Sequence, residues 1–142
     1  MAKSFWTLVA GILALSLGVA HASDLPRTPS PEGAEAYIVS PVHGETVDRT
    51  FTVVFGLRGM GVAPAGIDKE NTGHHHLLID SDELPPENLP MGSQVKHFGG
   101  GQTEMTLTLE PGEHTLQLIL GDKLHIPHDP PVVSKQITIT VK

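Results

Sequence analysis

The sequence contains no cysteine. A disulfide framework, a thiol nucleophile, a thiolate metal site and a cysteine for lipid attachment are therefore all excluded. Positive charge is scarce as well: nine Lys and Arg stand against sixteen Asp and Glu, for a formal net charge of −7 with histidine neutral. Such a chain repels phosphate backbones and anionic headgroups, and no basic patch offsets this, which argues against nucleic-acid binding and membrane-surface docking. Long hydrophobic runs are also missing. The one apolar stretch, Phe5 to Ala20, falls short of the roughly 20 residues that span a bilayer. It follows a single positive charge at Lys3 and ends in small residues, so residues 1–22 read as a secretory signal peptide.

Cleavage after Ala22 (Ala20-His21-Ala22) satisfies the small-x-small rule, and so does the alternative cut after Ala20, which would place His21 at the new amino terminus. The first cut leaves 120 residues and removes only Lys3 among the charges, giving a formal balance of −8. That length suits one domain. The expectation is a soluble periplasmic or secreted protein with no membrane insertion, held by its core and helped by a bound ion rather than by disulfides.

Helical repeats are the next absence. No segment after the signal peptide carries one, and 15 Gly with 12 Pro break the chain too often for long helices. What is present is period-two alternation in short runs: AYIVS (36–40), FTVVFGL (51–57), HHHLLID (74–80), TEMTLTL (103–109), HTLQLIL (114–120) and SKQITITV (134–141). Phe51, Val53, Phe55 and Leu57 share a face, as do Met105, Leu107 and Leu109, then Leu116, Leu118 and Leu120, and finally Ile137, Ile139 and Val141. This predicts an all-β, immunoglobulin-like two-sheet sandwich of about seven strands. Residues 23–35, SDLPRTPSPEGAE, read as a flexible Pro-rich leader, and 36–142 as the sandwich domain. The turn Glu110-Pro111-Gly112-Glu113 suits type II geometry, as expected where the chain crosses between sheets. The connections 58–73 and 81–102 are long, and long loops on a rigid scaffold are where binding sites tend to lie.

Against this background the histidines stand out. Eight follow the cut at Ala22: His43, His74, His75, His76, His97, His114, His125 and His128. A neutral imidazole coordinates a metal without burying an uncompensated charge. On a strand His74 and His76 point to one side and His75 to the other, and the ~3.3 Å rise lets the first two reach one ion. The plainer reading has one of the three hydrogen-bonded at the core edge and two in solvent. LHIPHDPP (124–131) offers His125 and His128 on a loop stiffened by Pro127, Pro130 and Pro131. KHFGGGQTE (96–104) sets His97 before three glycines that permit close backbone approach, without the Gly-Lys-Ser/Thr of a phosphate loop. If the loops meet at one end of the sandwich, His74, His76, His125 and His128 form a site for copper or zinc, with His97 or Asp129 as alternate or supporting partner. Asp80, Asp82 and Glu83 lack calcium-loop spacing and read as a solvated turn. Met60 and Met91 lie in the long loops, where thioethers are either packing or soft ligands for cuprous ion. His43 and His114 read as structural.

The motifs GHHHLLID, HFGGGQTE, PGEHTLQLILGD and HIPHDPP, with FGLRGMGVAPAG before them, resemble the bacterial exported family catalogued as domain of unknown function 4399, from about Ser40 to Lys142. The resemblance implies an exported β-sandwich and carries no assigned activity. A looser likeness is to immunoglobulin-like periplasmic copper-resistance proteins, which use a histidine at the mature amino terminus; here that is His21 if cleavage follows Ala20, whereas the cut after Ala22 leaves Ser23.

Three functions compete. The first is a non-catalytic metal-binding protein using the histidine cluster. The second is a metal-dependent hydrolase in which Glu104 or Asp129 acts as base; no nucleophile elbow or His-Glu-x-x-His pattern accompanies it. The third is an envelope adaptor whose clustered histidines form a pH-sensitive surface titrating between pH 5 and 8.

Overall fold

A computed structural model describes residues 25–142. The segment expected to be a signal peptide, the two candidate cleavage sites and His21 lie outside the described residues. Nine strands follow in order: β1 (Glu35–Ser40), β2 (Thr46–Val47), β3 (Thr50–Arg58), β4 (Gly61–Val62), β5 (Thr72–Ile79), β6 (Lys96–His97), β7 (Glu104–Thr108), β8 (Gly112–Gly121) and β9 (Ile137–Val141). All six alternating runs are strands. The three additional ones, β2, β4 and β6, are two residues each, too short to show any periodicity in the sequence.

The strands form two sheets, β1–β3–β7 and β2–β9–β8–β5–β4, with β6 also paired to β5. Their inner faces pack into one core that joins Ala36, Val53, Phe55 and Leu107 to Leu77, Leu116, Leu118, Leu120, Ile139 and Val141. The chain is thus an all-β two-sheet sandwich, without a helix among the described residues, and the core comes from the odd or even positions that the alternation marks. Gly112 has φ 138°, and the Pro111-Gly112 turn carries the chain from β7 in the smaller sheet to β8 in the larger. No helix of the described residues is long and apolar enough to cross a membrane.

One strand departs from simple alternation. In β5 every residue from Gly73 to Leu78 is buried, because both faces are covered. His75 and Leu77 point into the sandwich, where the His75 ring lies 5.3 Å from that of Phe55. The opposite face carries His74, His76 and Leu78, and there Leu78 joins Ile119, Met91 and Val95 in a second apolar cluster. Met91 and Val95 belong to the 81–102 connection, so that long loop lies over the outer face of the larger sheet. Residues of the Pro-rich leader run beside the loop after β8: Ser30 N donates to Asp129 O and Asp129 N to Thr28 O, each at 2.9 Å.

Candidate metal centre

The site is assembled on the outer face of three neighbouring strands. In the antiparallel register His76 opposes His97 across β5 and β6, while His74 opposes Gly121 across β5 and β8. Directly opposed residues share a face, so His97 stands beside His76 and His74. Alternation fixes His97 in turn: the next residue, Phe98, is buried in the main core with its ring 4.7 Å from that of Phe55, and its N–H donates to His75 O at 3.2 Å. The imidazole of His97 folds back over Gly99, where a Cβ would come within 2.3 Å of its Cε1. One glycine of the run therefore provides the close approach that the triplet suggests, and what approaches is the neighbouring imidazole of His97.

His125 arrives from the loop after β8. Asp122, itself only 3 % exposed, shapes that loop: its Oδ1 accepts from Leu124 N at 2.8 Å and from Ile126 N at 3.0 Å, while Oδ2 accepts from the Thr28 hydroxyl at 2.7 Å. The main chain closes the same turn through His125 N to Asp122 O and Asp122 N to Ile126 O, both 2.9 Å. His125 is held at φ 66°, a left-handed conformation that L-residues adopt at an energetic disadvantage of about 1–2 kcal/mol.

The outcome is a tight group. Ring nitrogens of His74, His76, His97 and His125 all lie within 4.8 Å of one another. His74 Nε2 is 3.0 Å from His125 Nδ1 and 3.2 Å from His97 Nε2. Four nitrogens at a zinc-like 2.0–2.1 Å from one tetrahedral ion stand about 3.3–3.4 Å apart, so two of the spacings are close to those of a shared ion. Both nitrogens of His76 and Nδ1 of His74 are buried without a hydrogen-bond partner. Burial, and after it the neighbouring rings of His125 and His97, brings His74 down to about 4. Burial, then His74, His97 and His125, brings His76 to about 3. His97 is lowered by desolvation and by His125. Near neutral pH the rings of His74 and His76 are therefore uncharged, with lone pairs available for coordination.

Other sequence-derived candidates do not join this group. His128 is fully buried, but its Nε2–H donates to Thr72 O at 3.2 Å, and its Cε1 lies 2.8 Å from where a Cβ on Gly73 would sit. Asp129, 64 % exposed at its side chain, pairs with Arg27 at 3.5 Å. The clustered group of four therefore contains His97 and not His128. The group lies on the outer face of the larger sheet, where the start of β5, the two-residue β6 and the loop after β8 come together, so that two of its four histidines are strand residues of β5, a third belongs to β6 and only His125 comes from a loop. All three consecutive histidines are buried, contrary to the reading that left two in solvent. Sequence reasoning missed Asp122, Gly121 and Thr28. A signal existed for Asp122: a Gly-Asp pair ending a strand, with an Asp that accepts two residues on, is turn chemistry.

A two-sheet sandwich carrying a four-histidine cluster on an outer sheet face is what the fold and site define. The chain belongs to the family described as Domain of unknown function (DUF4399), which matches residues 53–142. No curated protein and no solved structure matches the chain. The matched region contains all four clustered histidines, whereas Thr28 and Arg27 precede it.

Proposed function

We propose that this protein is an exported, non-catalytic metal-binding protein that takes up copper or zinc at His74, His76, His97 and His125. The observation that carries the reading is the convergence of four imidazole nitrogens within 4.8 Å, drawn from two strands and a loop, with buried nitrogens that no protein group satisfies. The site is suited to exchange rather than to permanent structural binding. Ligating histidines held for tight binding usually donate their second nitrogen to a carboxylate or carbonyl, a contact worth about 10–100-fold in affinity, and His74 Nδ1 has no such partner. His97 is exposed and gives an ion an approach from solvent, and the net negative charge draws cations toward the surface.

The competing functions gain less. A hydrolase needs a base beside the ion, but Asp129 is paired with Arg27, and Glu104 stands exposed on β7 of the other sheet. An adaptor surface titrating between pH 5 and 8 does not suit buried rings brought to about 4 and 3.

Elemental analysis of tag-free protein, followed by melting with one equivalent of zinc or copper, tests the reading. At a free metal concentration 100-fold above Kd, binding to the folded state alone adds about 2.7 kcal/mol. The expected result is a clear rise in Tm that disappears in the doubly substituted His74→Ala, His76→Ala protein. No rise at micromolar metal, or binding retained in that variant, would refute it.

A further inference from the structure

The outer face of the larger sheet holds a methionine beside the histidines. Met60 and Met105 pack against the main core between the sheets. Met91 instead belongs to the apolar cluster on the outer face, with Leu78, Val95 and Ile119, and is 8 % exposed. Two contacts place it at the metal site. The position that a Cβ on Gly121 would take lies 2.9 Å from Met91 Cε, and the same position is 2.6 Å from Cε1 and 3.1 Å from Nδ1 of His76. The Met91 methyl end and the Cε1–Nδ1 edge of His76 thus meet over one glycine. The Met91 main chain is fixed to a second ligand, its N–H donating to His125 O at 2.8 Å.

We propose that the thioether of Met91 is a further donor of this site and makes it selective for cuprous ion. The inference rests on the metal-binding reading above and specifies its cargo. The donor chemistry favours that choice, since thioether sulfur is a soft ligand that prefers Cu(I), and imidazole accepts the same ion. The charge balance favours it too. Every donor is neutral, and the acid whose field His74 feels is Asp122, the one buried carboxylate among the described residues. One negative charge compensates a monovalent ion, whereas a divalent ion would leave a net positive charge in a desolvated place, which is costly. The side-chain rearrangement needed is small, because Met has three rotatable bonds and adapts readily.

The test uses the tag-free, signal-cleaved protein loaded with Cu(I) under anaerobic, reducing conditions. X-ray absorption at the copper edge should show sulfur together with nitrogen scatterers, and protein labelled with selenomethionine should show selenium at the copper without any substitution being made. Competition against a chromophoric Cu(I) chelator should give at least a tenfold loss of affinity in Met91→Leu and no change in Met60→Leu, and the loss of Zn(II) affinity in Met91→Leu should be several-fold smaller than its loss of Cu(I) affinity. A nitrogen-only copper shell, or an unchanged Cu(I) affinity in Met91→Leu, overturns the assignment of Met91 while leaving a histidine metal site intact. Failure of both ions to bind overturns the assignment and the metal-binding reading together.

Discussion

Adding one methyl group at Gly121 is the sharpest test of how the centre is built. Gly121 opposes His74 across the β5–β8 ladder, and its missing side chain is the space into which His76 leans. An alanine Cβ would lie 2.6 Å from His76 Cε1 and 2.9 Å from Met91 Cε. Ordinary carbon–carbon contacts need about 3.5 Å or more, so the His76 ring must retreat by close to 1 Å. It has little room, being 1 % exposed with its ring centroid 4.7 Å from that of His74 and 5.1 Å from that of His97. Gly121 needs no left-handed backbone, so the effect of the substitution comes from the side chain alone. Overpacking of this kind lowers stability by about 1–3 kcal/mol.

The larger consequence is for binding, since a useful site keeps its ligands within about 0.5 Å of productive geometry. Gly121→Ala should therefore weaken zinc and copper binding by about 10–100-fold, a size typical of disturbing the groups that orient a ligand. Melting in excess chelator measures the stability loss of the metal-free protein, and competition with a chromophoric chelator measures affinity separately. A variant that melts lower but binds within twofold of the parent would show that His76 is not a ligand of the shared ion. A variant unchanged in both would show that the glycine is not the seat of His76 at all.

The remaining expectations concern neighbours of the site. His75 has both nitrogens buried and unpartnered, and burial alone lowers it from 6.5 to about 4. His75→Leu should thus hold or raise stability by about 1 kcal/mol, since it removes an unsatisfied polar group from an apolar place, and leave metal affinity unchanged; a large loss of affinity would refute the facing assigned here. The same lowered values set an acid dependence. Between 6.5 and about 4 the unfolded chain binds protons that folded His74 and His75 refuse, so metal-free stability falls as pH drops below 6.5, by about 2 kcal/mol at pH 5 for the more enclosed His75 and by less for His74. Chemical denaturation at pH 7 and pH 5 checks this, and equal stability at both would contradict it. Asp122→Ala should weaken metal binding and lower stability by about 2–4 kcal/mol by undoing the His125 turn, and Thr28→Val should cost only about 1 kcal/mol; unaltered binding in Asp122→Ala would sink the positioning role. His114 is raised by its hydrogen bond to Asp80, so that contact stabilises the fold below pH 6.5 and its contribution is lost as pH rises through the elevated value. Asp80→Asn should accordingly destabilise more at pH 6 than at pH 9, and an equal loss at both would refute it.

The fold was legible because its core follows one rule. Leu116, Leu118 and Leu120, or Val53 and Phe55, sit two residues apart on strands with one covered face, and period two reports that directly. The rule fails at β5. GHHHLLI is polar then apolar on both sides, and its burial comes from a loop more than ten residues away in sequence that carries Met91 and Val95 over the outer face. Nothing in the local pattern reveals such a cover. The site was legible in its residue types and in its three segments, but not in its membership. Choosing His97 over His128 required the two-residue pairing of β6 with β5, a register that leaves no periodic trace. Rejecting Asp129 required knowing where Arg27 falls.

The energetics of the outer face also support the proposed binding role over that of a second core. At Leu78 and Ile119 that face is apolar and buried, and aliphatic residues at 74 and 76 would extend it, each contributing about 1.5–3 kcal/mol of burial. The chain instead places there imidazoles of which His76 leaves both nitrogens, and His74 its Nδ1, without a partner, each buried unsatisfied group lowering stability by about 1–3 kcal/mol in a fold whose total margin is about 5–15 kcal/mol. A solute that binds only the folded state and accepts several lone pairs at once reverses that deficit. The inner-facing His75 gains nothing from such a solute, because its ring lies against Phe55 on the far side of the sheet. If the outer histidines serve a ion and His75 does not, metal should rescue the acid instability due to His74 and His76 and leave the share due to His75 untouched.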